Sequence, residues 1–479
     1  MAATSTIQHR RLSVDDTERL LDDLRELLGA ERVLTGHDVR EQHGVDESFH
    51  PAALPDAVVQ PTSTEEAAAI VRVCARHGAP LVPFGAGTSL EGHVQAIQGG
   101  ISVDMREMNR IVRLSVEDLD VTVQAGVTRK QLDAAIRPEG VFFPVDPGAD
   151  ATLGGMVSTG ASGTTTVRYG AMRENVLSLV VVTADGEIVR TRSRARKSSA
   201  GYDLTRLFIG AEGTLGLVCE VTLRVHPTPE AMSAAVCAFP TLADAVACVV
   251  AVAQFGIPVA RIELLDEMLI DAIDRMYDLD HPIANTLFLE FHGTPAEVEA
   301  QAQETEAIAL EHGGEHFRWT SDEAERRKMW EARHHAYHAT KALIPGSSVL
   351  TTDACVPISG LAETLLETRT DLDEHGLTGS IVGHVGDGNF HVTLLVDADD
   401  PASVEAGMQF HDRVVRRALE HGGTSTGEHG VGYGKAAYLE LEHGPKVVSM
   451  MRAIKHALDP EDIFNPGKGA SAVEAGAGA

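Results

Sequence analysis

Cysteine is scarce in this sequence, and its few copies are not arranged in pairs. Five cysteines occur among 479 residues, the number is odd, and no Cys-x-x-Cys pair is present. A disulfide framework and a cysteine-ligated zinc site are therefore both excluded as expectations. A reducing compartment suits such a chain, and we expect a cytoplasmic location, with peripheral attachment to a membrane as the alternative.

Long apolar runs and an excess of basic residues are also missing. The longest apolar run, Ala245–Ala253, is far shorter than the roughly 20 residues that a membrane-spanning helix needs. Polar residues rather than an apolar stretch follow Arg10 and Arg11, so we expect neither an export signal nor a transmembrane segment. Acidic residues outnumber basic ones by 70 to 40, giving a formal net charge of -30. Because nucleic acid is itself polyanionic, it is excluded as an expected partner.

The patterns that are present predict an α+β protein. Short apolar strands and amphipathic helices alternate up to about residue 226, where Pro227 and Pro229 interrupt the chain. A second α+β region follows, and a C-terminal segment comes after it. Two helix starts carry capping signals, namely Thr128 with Gln131 and Thr294 with Pro295 at the first helical position.

Three glycine-rich loops lie in the first region. They are Pro83–Gly92, Thr152–Gly163 and Gly210–Gly216. Glycines allow backbone N–H groups to approach phosphate closely, so three such loops favour a bound dinucleotide. The nicotinamide-binding βαβ unit is disfavoured, because only about eight residues separate Gly92 from the next predicted strand and a crossover with a helix needs about 10–12.

Histidines and a carboxylate cluster late in the sequence. GHVGDGNFH places His384 and His391 at the edges of a glycine-rich turn between predicted strands, and TGEHG adds Glu428 and His429. Two imidazoles and one carboxylate suit zinc, with manganese or iron as alternatives, and three protein ligands leave room for substrate oxygens. Chance clustering is the competing interpretation, because the chain has 22 histidines.

The order of these motifs carries a resemblance. PFGAGTSLEG, PVDPGA, TLGGMVSTGASG and GAEGTLG resemble the FAD-binding domain of the vanillyl-alcohol oxidase and p-cresol methylhydroxylase flavoproteins. With VRYGAMRENVLSL, KSSAGYDLTRLFIG and IFNPGK, the chain resembles their D-lactate dehydrogenase branch, which is related to the glycolate oxidase flavin subunit and to D-2-hydroxyglutarate dehydrogenase. The resemblance extends from Asp56 to Lys468.

The resemblance implies an FAD-binding domain of this type, an α+β cap domain with an antiparallel sheet, and a C-terminal segment that returns to the FAD domain. The expected boundaries are 1–54 for an N-terminal helical segment, 55–227 for the FAD-binding domain, 228–455 for the cap domain that carries substrate and metal, 456–469 for the segment that contacts FAD, and 470–479 for a disordered tail.

The resemblance also implies which residues contact FAD. The loop at the pyrophosphate contributes Pro83, Gly85, Ala86, Gly87, Thr88 and Ser89. The flavin and its ribityl chain contact Pro147, Gly148, Thr152, Gly155, Ser158, Gly160 and Ser162. Gly216 and Val218 contact the adenine half, and Asn465 reaches the flavin. The flavin is expected to be non-covalent, with a covalent bond to His93 as the alternative.

For the chemistry, the family assigns His384, His391 and Glu428 to a divalent metal. His429 would be the base, since an imidazole accepts a proton at neutral pH, and the hydride would go to flavin N5. Arg333 would bind the substrate carboxylate, with Tyr337 one helical turn further on. The competing interpretations are that His429 only supports Glu428 and that Arg333 is a solvated charge.

The implied function is FAD-dependent oxidation of a small D-2-hydroxy acid, D-lactate to pyruvate. Electrons would pass to a cytochrome, a quinone or an electron-transfer flavoprotein rather than to NAD, and the chain is expected to form a homodimer. Thr393 occupies the place where the hydroxyglutarate branch has Asn, which favours a small substrate. Glycolate or D-2-hydroxyglutarate as substrate, and an electron-carrying subunit of a complex, are the alternatives.

Overall fold

The chain folds into two units, each assembled from segments that are not contiguous in sequence. The computed structural model describes residues 11–277 and 282–472. Within this range the first unit comprises 11–162, 170–228 and 428–472, and the second comprises 163–169 and 229–427. Helices and strands are numbered below in chain order.

A four-stranded sheet of order β1-β2-β4-β3 begins the first unit, with β2, β4 and β3 parallel. Its strands and helices are β1 (Val33–Leu34), β2 (Ala57–Val59), β3 (Leu81–Phe84), β4 (Ile101–Asp104), α1 (Val14–Leu28), α2 (His37–Gln42) and α3 (Thr64–His77). Ser63 caps α3 by accepting the Glu66 N–H, and Gly78 ends it in the left-handed conformation. Leu20 of α1 and Ile70 of α3 are fully buried in one core, so α1 is part of this layer.

A five-stranded antiparallel sheet of order β5-β6-β10-β8-β9 forms the second layer of this unit. Its strands are β5 (Ile111–Ser115), β6 (Asp120–Gln124), β8 (Val176–Val182), β9 (Ile188–Arg190) and β10 (Leu217–Arg224). A separate pair comprises β7 (Val141–Phe142) and β11 (His226–Pro227), and the helices are α4 (Arg129–Ile136), α5 (Leu153–Thr159), α7 (Met172–Asn175) and α8 (Leu204–Phe208). The capping box predicted at Thr128 and Gln131 starts α4.

The C-terminal segment returns to the first sheet. After α15 (Leu439–Leu458), which is interrupted at Gly444, Phe464 lies parallel to Leu81 of β3. The Leu81 N–H donates to Ile463 O at 2.7 Å, and the Asn465 N–H donates to Leu81 O at 2.8 Å. Phe464 is fully buried in the same core as α1 and α3. The expected return of the C-terminal segment is confirmed.

The second unit is built around an eight-stranded sheet of order β15-β12-β14-β13-β18-β19-β16, with β17 paired to β19 and every pair antiparallel. Its strands are β12 (Ala231–Phe239), β13 (Val259–Leu265), β14 (Asn285–Gly293), β15 (Glu315–Thr320), β16 (Ser348–Thr351), β17 (Ala354–Cys355), β18 (Gly379–His384) and β19 (Asn389–Val396). Its helices are α6 (Thr166–Tyr169), α9 (Leu242–Gln254), α10 (Glu267–Tyr277), α11 (Pro295–Glu311), α12 (Glu323–Ala342), α13 (Leu361–Glu374) and α14 (Pro401–Glu420). The expected antiparallel cap sheet is confirmed.

Two apolar cores lie on opposite faces of this sheet. One core combines strand residues such as Leu264 with α9, α11, α13 and α14. The other combines strand residues such as Leu265 with α10 and α12. Because consecutive strand residues point to opposite faces, every second residue of β13 faces α10 and α12. That face carries the polar residues described below.

The unit boundaries differ from the expected domain boundaries in three places. The segment expected separately as 1–54 contributes α1 to the first unit, 163–169 belongs to the second unit, and 428–455 belongs to the first. Long-range packing rather than any local composition change sets these divisions. Of the tail expected at 470–479, residues 473–479 lie outside the described residues, and Gly469–Ser471 forms a 3-10 turn. No helix within 11–277 and 282–472 is both long and apolar enough to cross a membrane.

Candidate active site

His384 and His391 flank a tight turn between β18 and β19 in the second unit. The two strands pair with His384 opposite Asn389, and the imidazole rings lie 5.5 Å apart between centroids, nearly perpendicular. Both side chains are buried. Gly388 in the turn has φ 80°, a conformation that favours glycine, so the glycine-rich sequence supplies the tight turn that brings the two rings together.

The Nδ1 atom of each of these histidines faces an acceptor. His384 Nδ1 donates to Glu263 Oε1 at 2.6 Å, and His391 Nδ1 donates to Thr352 O at 3.1 Å. With Nδ1 carrying the proton, the lone pair is on Nε2. Histidines that bind metals have this arrangement, in which a carboxylate or a carbonyl fixes the ring and its tautomer. The donor set of this pair therefore fits a divalent cation.

Glu263 on β13 connects the histidine pair to Arg333. Its Oε1 accepts from His384, while its Oε2 accepts from Arg333 Nε at 2.7 Å, and its side chain is fully buried. Burial raises the pKa of Glu263, but its contacts with His384 and with the Arg333 guanidinium outweigh that effect and lower the pKa below its usual range. No sequence motif pointed to Glu263. The available signal was an acidic residue in the middle of the apolar strand VARIELL.

Arg333 and Tyr337 lie one turn apart on α12. Asp322 caps this helix by accepting the N–H groups of Ala324 and Glu325. The Arg333 side chain is 21% exposed, so it is held by Glu263 and is not a freely solvated charge. The Tyr337 residue is 47% exposed.

Asp353 organises the other side of the histidine turn. Its two oxygens accept from Asn389 Nδ2 and from Thr426 Oγ1, both at 2.8 Å, and it is fully buried. A side chain at Gly427 would collide with the Asn389 amide, so Gly427 is required there. The structure shows that Asp353 fixes Asn389 beside His391 and anchors the last residues of the second unit.

Glu428 and His429 follow directly in sequence but belong to the first unit. Ser162 Oγ donates a hydrogen bond to Glu428 Oε2 at 2.6 Å. The hydroxyl that was expected at the flavin is thus hydrogen-bonded to a carboxylate. His429 is half-buried. Two and three residues after His429, Val431 and Gly432 donate their N–H groups to Glu212 at 2.6 and 2.8 Å.

The glycine loops of the first unit approach one another closely. A side chain at Gly85 would collide with the Thr152 hydroxyl, which itself accepts from Gly155 N–H at 3.3 Å and caps α5. Ser89 Oγ donates to Asp46 Oδ2 at 3.0 Å, and this hydrogen bond attaches the first loop to the segment that precedes β2. At Gly148 an added Cβ would meet nothing within 4 Å. Glycines and hydroxyl groups that pack closely, with open space beside them, suit the binding of the phosphates and ribityl chain of FAD.

The remaining residues expected at FAD all lie within the first unit. Ser158 Oγ donates to Gly154 O at 2.8 Å, and a side chain at Gly216 would press on Val181 of β8. Asn465 Nδ2 donates to the carbonyl oxygens of His93 and Glu212 at 3.1 and 2.8 Å. The other expected residues have these places: Pro83 lies on β3, Ala86, Gly87 and Thr88 lie in the first loop, Pro147 lies in the segment after β7, Gly160 ends α5, and Val218 is buried in β10.

Comparison with solved structures identifies the fold class. p-Cresol methylhydroxylase with substrate bound superposes with a TM-score of 0.80 at 17% identity, covering 96% of this chain and 98% of that one. The 4-ethylphenol oxidase of Gulosibacter chungangensis gives 0.77 at 18% identity, covering 95% and 97%. The chain therefore has the fold of the vanillyl-alcohol oxidase and p-cresol methylhydroxylase flavoproteins.

Sequence comparison identifies the family within that class. The model of the FAD binding domain matches residues 55–192, and that of the C-terminal domain of FAD linked oxidases matches 228–469. The probable mitochondrial D-lactate dehydrogenase of Danio rerio is 49% identical, covering 94% of this chain and 91% of that protein. The mitochondrial D-lactate dehydrogenase [cytochrome] of Arabidopsis thaliana is 43% identical (94% and 80%), and the glycolate oxidase subunit GlcD of Bacillus subtilis is 33% identical (94% and 97%). The chain belongs to the FAD-dependent D-lactate dehydrogenase family of FAD-linked oxidoreductases.

These comparisons correct the expected location. The relatives from Danio rerio, Arabidopsis thaliana and Saccharomyces cerevisiae are all named as mitochondrial proteins. The cytoplasmic expectation was wrong. It rested on the cysteine pattern, and unpaired cysteines indicate only a reducing environment, which is not particular to the cytoplasm.

Proposed function

We propose that this chain oxidises D-lactate to pyruvate with bound FAD as the hydride acceptor. The observation that carries the proposal is the Glu263 bridge, which joins Arg333 to His384 through its two oxygens. A 2-hydroxy acid has a carboxylate and a hydroxyl on adjacent carbons, and this bridge couples a carboxylate-binding group, Arg333, to a histidine of the proposed metal site, whose ion would bind the hydroxyl oxygen. The names of the relatives from Danio rerio and Arabidopsis thaliana support D-lactate as the substrate.

In the proposed reaction, D-lactate loses a hydroxyl proton and the hydride of its α-carbon and becomes pyruvate. Arg333 binds the substrate carboxylate with its planar guanidinium, and Tyr337 lies one turn further along α12. His429 accepts the hydroxyl proton, for which an imidazole is suited near neutral pH. FAD, when bound, supplies the two-electron acceptor at N5. The loop residues predicted above would hold it non-covalently.

A divalent metal is the second part of the proposal. His384, His391 and Glu428 would hold it, with zinc as the first choice and manganese or iron as alternatives. The Nδ1 hydrogen bonds of both histidines support this assignment, because they leave the lone pair on Nε2. Such an ion would lower the pKa of the substrate hydroxyl. We propose a cytochrome as the electron acceptor, following the names of the relatives.

Steady-state dye reduction by the purified, FAD-loaded protein tests the substrate. We expect kcat/KM for D-lactate to exceed that for L-lactate, glycolate and D-2-hydroxyglutarate by at least about tenfold. Glycolate is included because a Bacillus subtilis relative is named as a glycolate oxidase subunit. Activity should disappear on chelation and return with zinc or manganese. A preference for L-lactate or for another acid would contradict the substrate, and full activity in metal-free protein would contradict the metal.

A further inference from the structure

The segment that carries Glu428 and His429 is anchored by a buried carboxylate far away in sequence. Glu212 accepts the N–H of Val431 at 2.6 Å through Oε1 and that of Gly432 at 2.8 Å through Oε2. All of these residues belong to the first unit. Hydrogen bonds to an ionised carboxylate are short and strong, so the backbone two and three residues after His429 is held at both carboxylate oxygens.

The same carboxylate is paired with His93. His93 Nε2 lies 3.3 Å from Glu212 Oε1, and both side chains are at least 94% buried. Burial opposes charge on both groups, but their mutual attraction prevails, so the pKa of His93 is raised and that of Glu212 is lowered. Gly430 passes directly against this pair: an added Cβ would come within 2.8 Å of both Glu212 Oε1 and His93 Nε2.

The backbone of Glu212 is held in an unfavourable conformation. Its φ is 54°, in the left-handed region where side chains other than Gly and Asn are disfavoured. Asn465 Nδ2 donates to the Glu212 carbonyl at 2.8 Å and so helps to hold it there. Local strain of this kind persists where the surrounding structure enforces it, and it accumulates at functional sites. A glycine would adopt this backbone more easily, but it could not supply the two acceptors.

We propose that Glu212, paired with His93, is a positioning residue that sets the backbone of Gly430–Gly432 and thereby the placement of Glu428 and His429. This inference rests on the proposed function, in which those two side chains act on the substrate. A displacement of about 1 Å in a reacting group can reduce a rate by about 100-fold. Glu212 touches no substrate in this account and acts only through the loop.

The test compares Glu212→Gln with wild-type protein, both loaded with FAD. The amide carries no charge and replaces one of the two acceptor oxygens with an NH2 donor, so in this geometry it cannot accept from both Val431 and Gly432. We expect hydrogen exchange in the peptide that covers 428–435 to accelerate by at least about tenfold. The rate of flavin reduction by D-lactate should fall about 10- to 100-fold, while FAD content and the concentration of D-lactate giving half the maximal rate change by less than about threefold.

Asp104→Asn is the matched control. Asp104 is also buried in the first unit, and its Oδ2 lies 3.3 Å from His43 Nε2, the same separation as in the Glu212–His93 pair. Its other partners are Gln60 and Arg106, which are not in the loop. We expect wild-type exchange in 428–435 and a wild-type rate of flavin reduction. If Glu212→Gln does not fold, His93→Gln, which removes the paired cation, is measured in the same way.

Unchanged exchange in Glu212→Gln would overturn the proposal, and so would faster exchange with a wild-type rate of flavin reduction. Equal effects in Asp104→Asn would also overturn it, because the changes would then reflect the general loss of a buried ion pair. If D-lactate leaves wild-type flavin oxidised, the proposed function fails. The exchange measurement then still decides whether Glu212 holds the loop.

Discussion

At the scale of single residues, Glu263 holds a histidine and an arginine that serve different parts of the proposed substrate. The histidine motif is local, since His384 and His391 flank one turn, and the sequence predicted it. The Glu263 contacts are not local: its partners His384 and Arg333 are 121 and 70 residues away. No short-range pattern connects such residues. Only the antiparallel pairing of β13 with β18 brings Glu263 next to His384.

The variant Glu263→Gln tests this bridge. A glutamine replaces one carboxylate oxygen with an NH2 donor, so in this geometry it cannot accept from both His384 and Arg333. The loss of a carboxylate partner of a metal-binding histidine typically reduces metal affinity or activity by about 10- to 100-fold. We expect a loss of that size in kcat/KM for D-lactate and a lower metal content by elemental analysis. Wild-type values of both would refute the bridge. Glu290→Gln, a buried carboxylate on the neighbouring strand, is the control and should keep kcat/KM within about threefold.

At the scale of elements, α6 shows why a short helix escapes sequence analysis. It has four residues, and isolated helices of this length are unstable in water. Tertiary contacts hold it: Arg168 donates to Pro258 O and His292 O at 2.8 and 2.9 Å, and Tyr169 Oη lies 2.7 Å from His292 Nδ1. The capping signals at Thr128 and Thr294 predicted their helices correctly, because a cap depends on residues three positions apart.

The strand pair β13 and β14 carries a pH-dependent contribution to stability. Glu290 lies opposite Arg261 and its Oε1 is 2.8 Å from His292 Nε2. Burial raises the pKa of Glu290, but Arg261 and His292 outweigh it and lower the pKa from 4.5 to about 2. A carboxyl group with a lowered pKa stabilises the folded state above its unfolded pKa. That contribution, about 3 kcal/mol, is lost as the pH falls from about 4.5 to 2.

Thermal unfolding of Glu290→Gln at several pH values tests this contribution. At pH 7 we expect the variant to be less stable than wild type. As the pH falls from 5 to 3, the difference in Tm between the two should shrink, because the unfolded wild type takes up a proton on Glu290 in this range while the folded state stays charged down to a pH of about 2. Two parallel curves of Tm against pH would show that Glu290 does not titrate as described.

At the scale of the whole molecule, motif order predicted more than domain boundaries did. The glycine loops predicted the flavin-binding class. Each loop is a short local motif, so its suitability for binding phosphate can be recognised without knowing the long-range fold. The division of the chain at 163–169 and at 428 could not be predicted, since those segments change unit through long-range packing without a change in composition. The compartment was also missed, because composition does not distinguish one reducing compartment from another.

The central claim is that bound FAD takes a hydride from D-lactate. The decisive experiment is anaerobic mixing of the FAD-loaded protein with D-lactate or with L-lactate, followed by absorbance at about 450 nm, because reduction of the flavin removes that band. We expect rapid bleaching with D-lactate, release of pyruvate in equal amount to the flavin reduced, and an oxidised flavin with L-lactate. A flavin that stays oxidised with D-lactate would contradict the account.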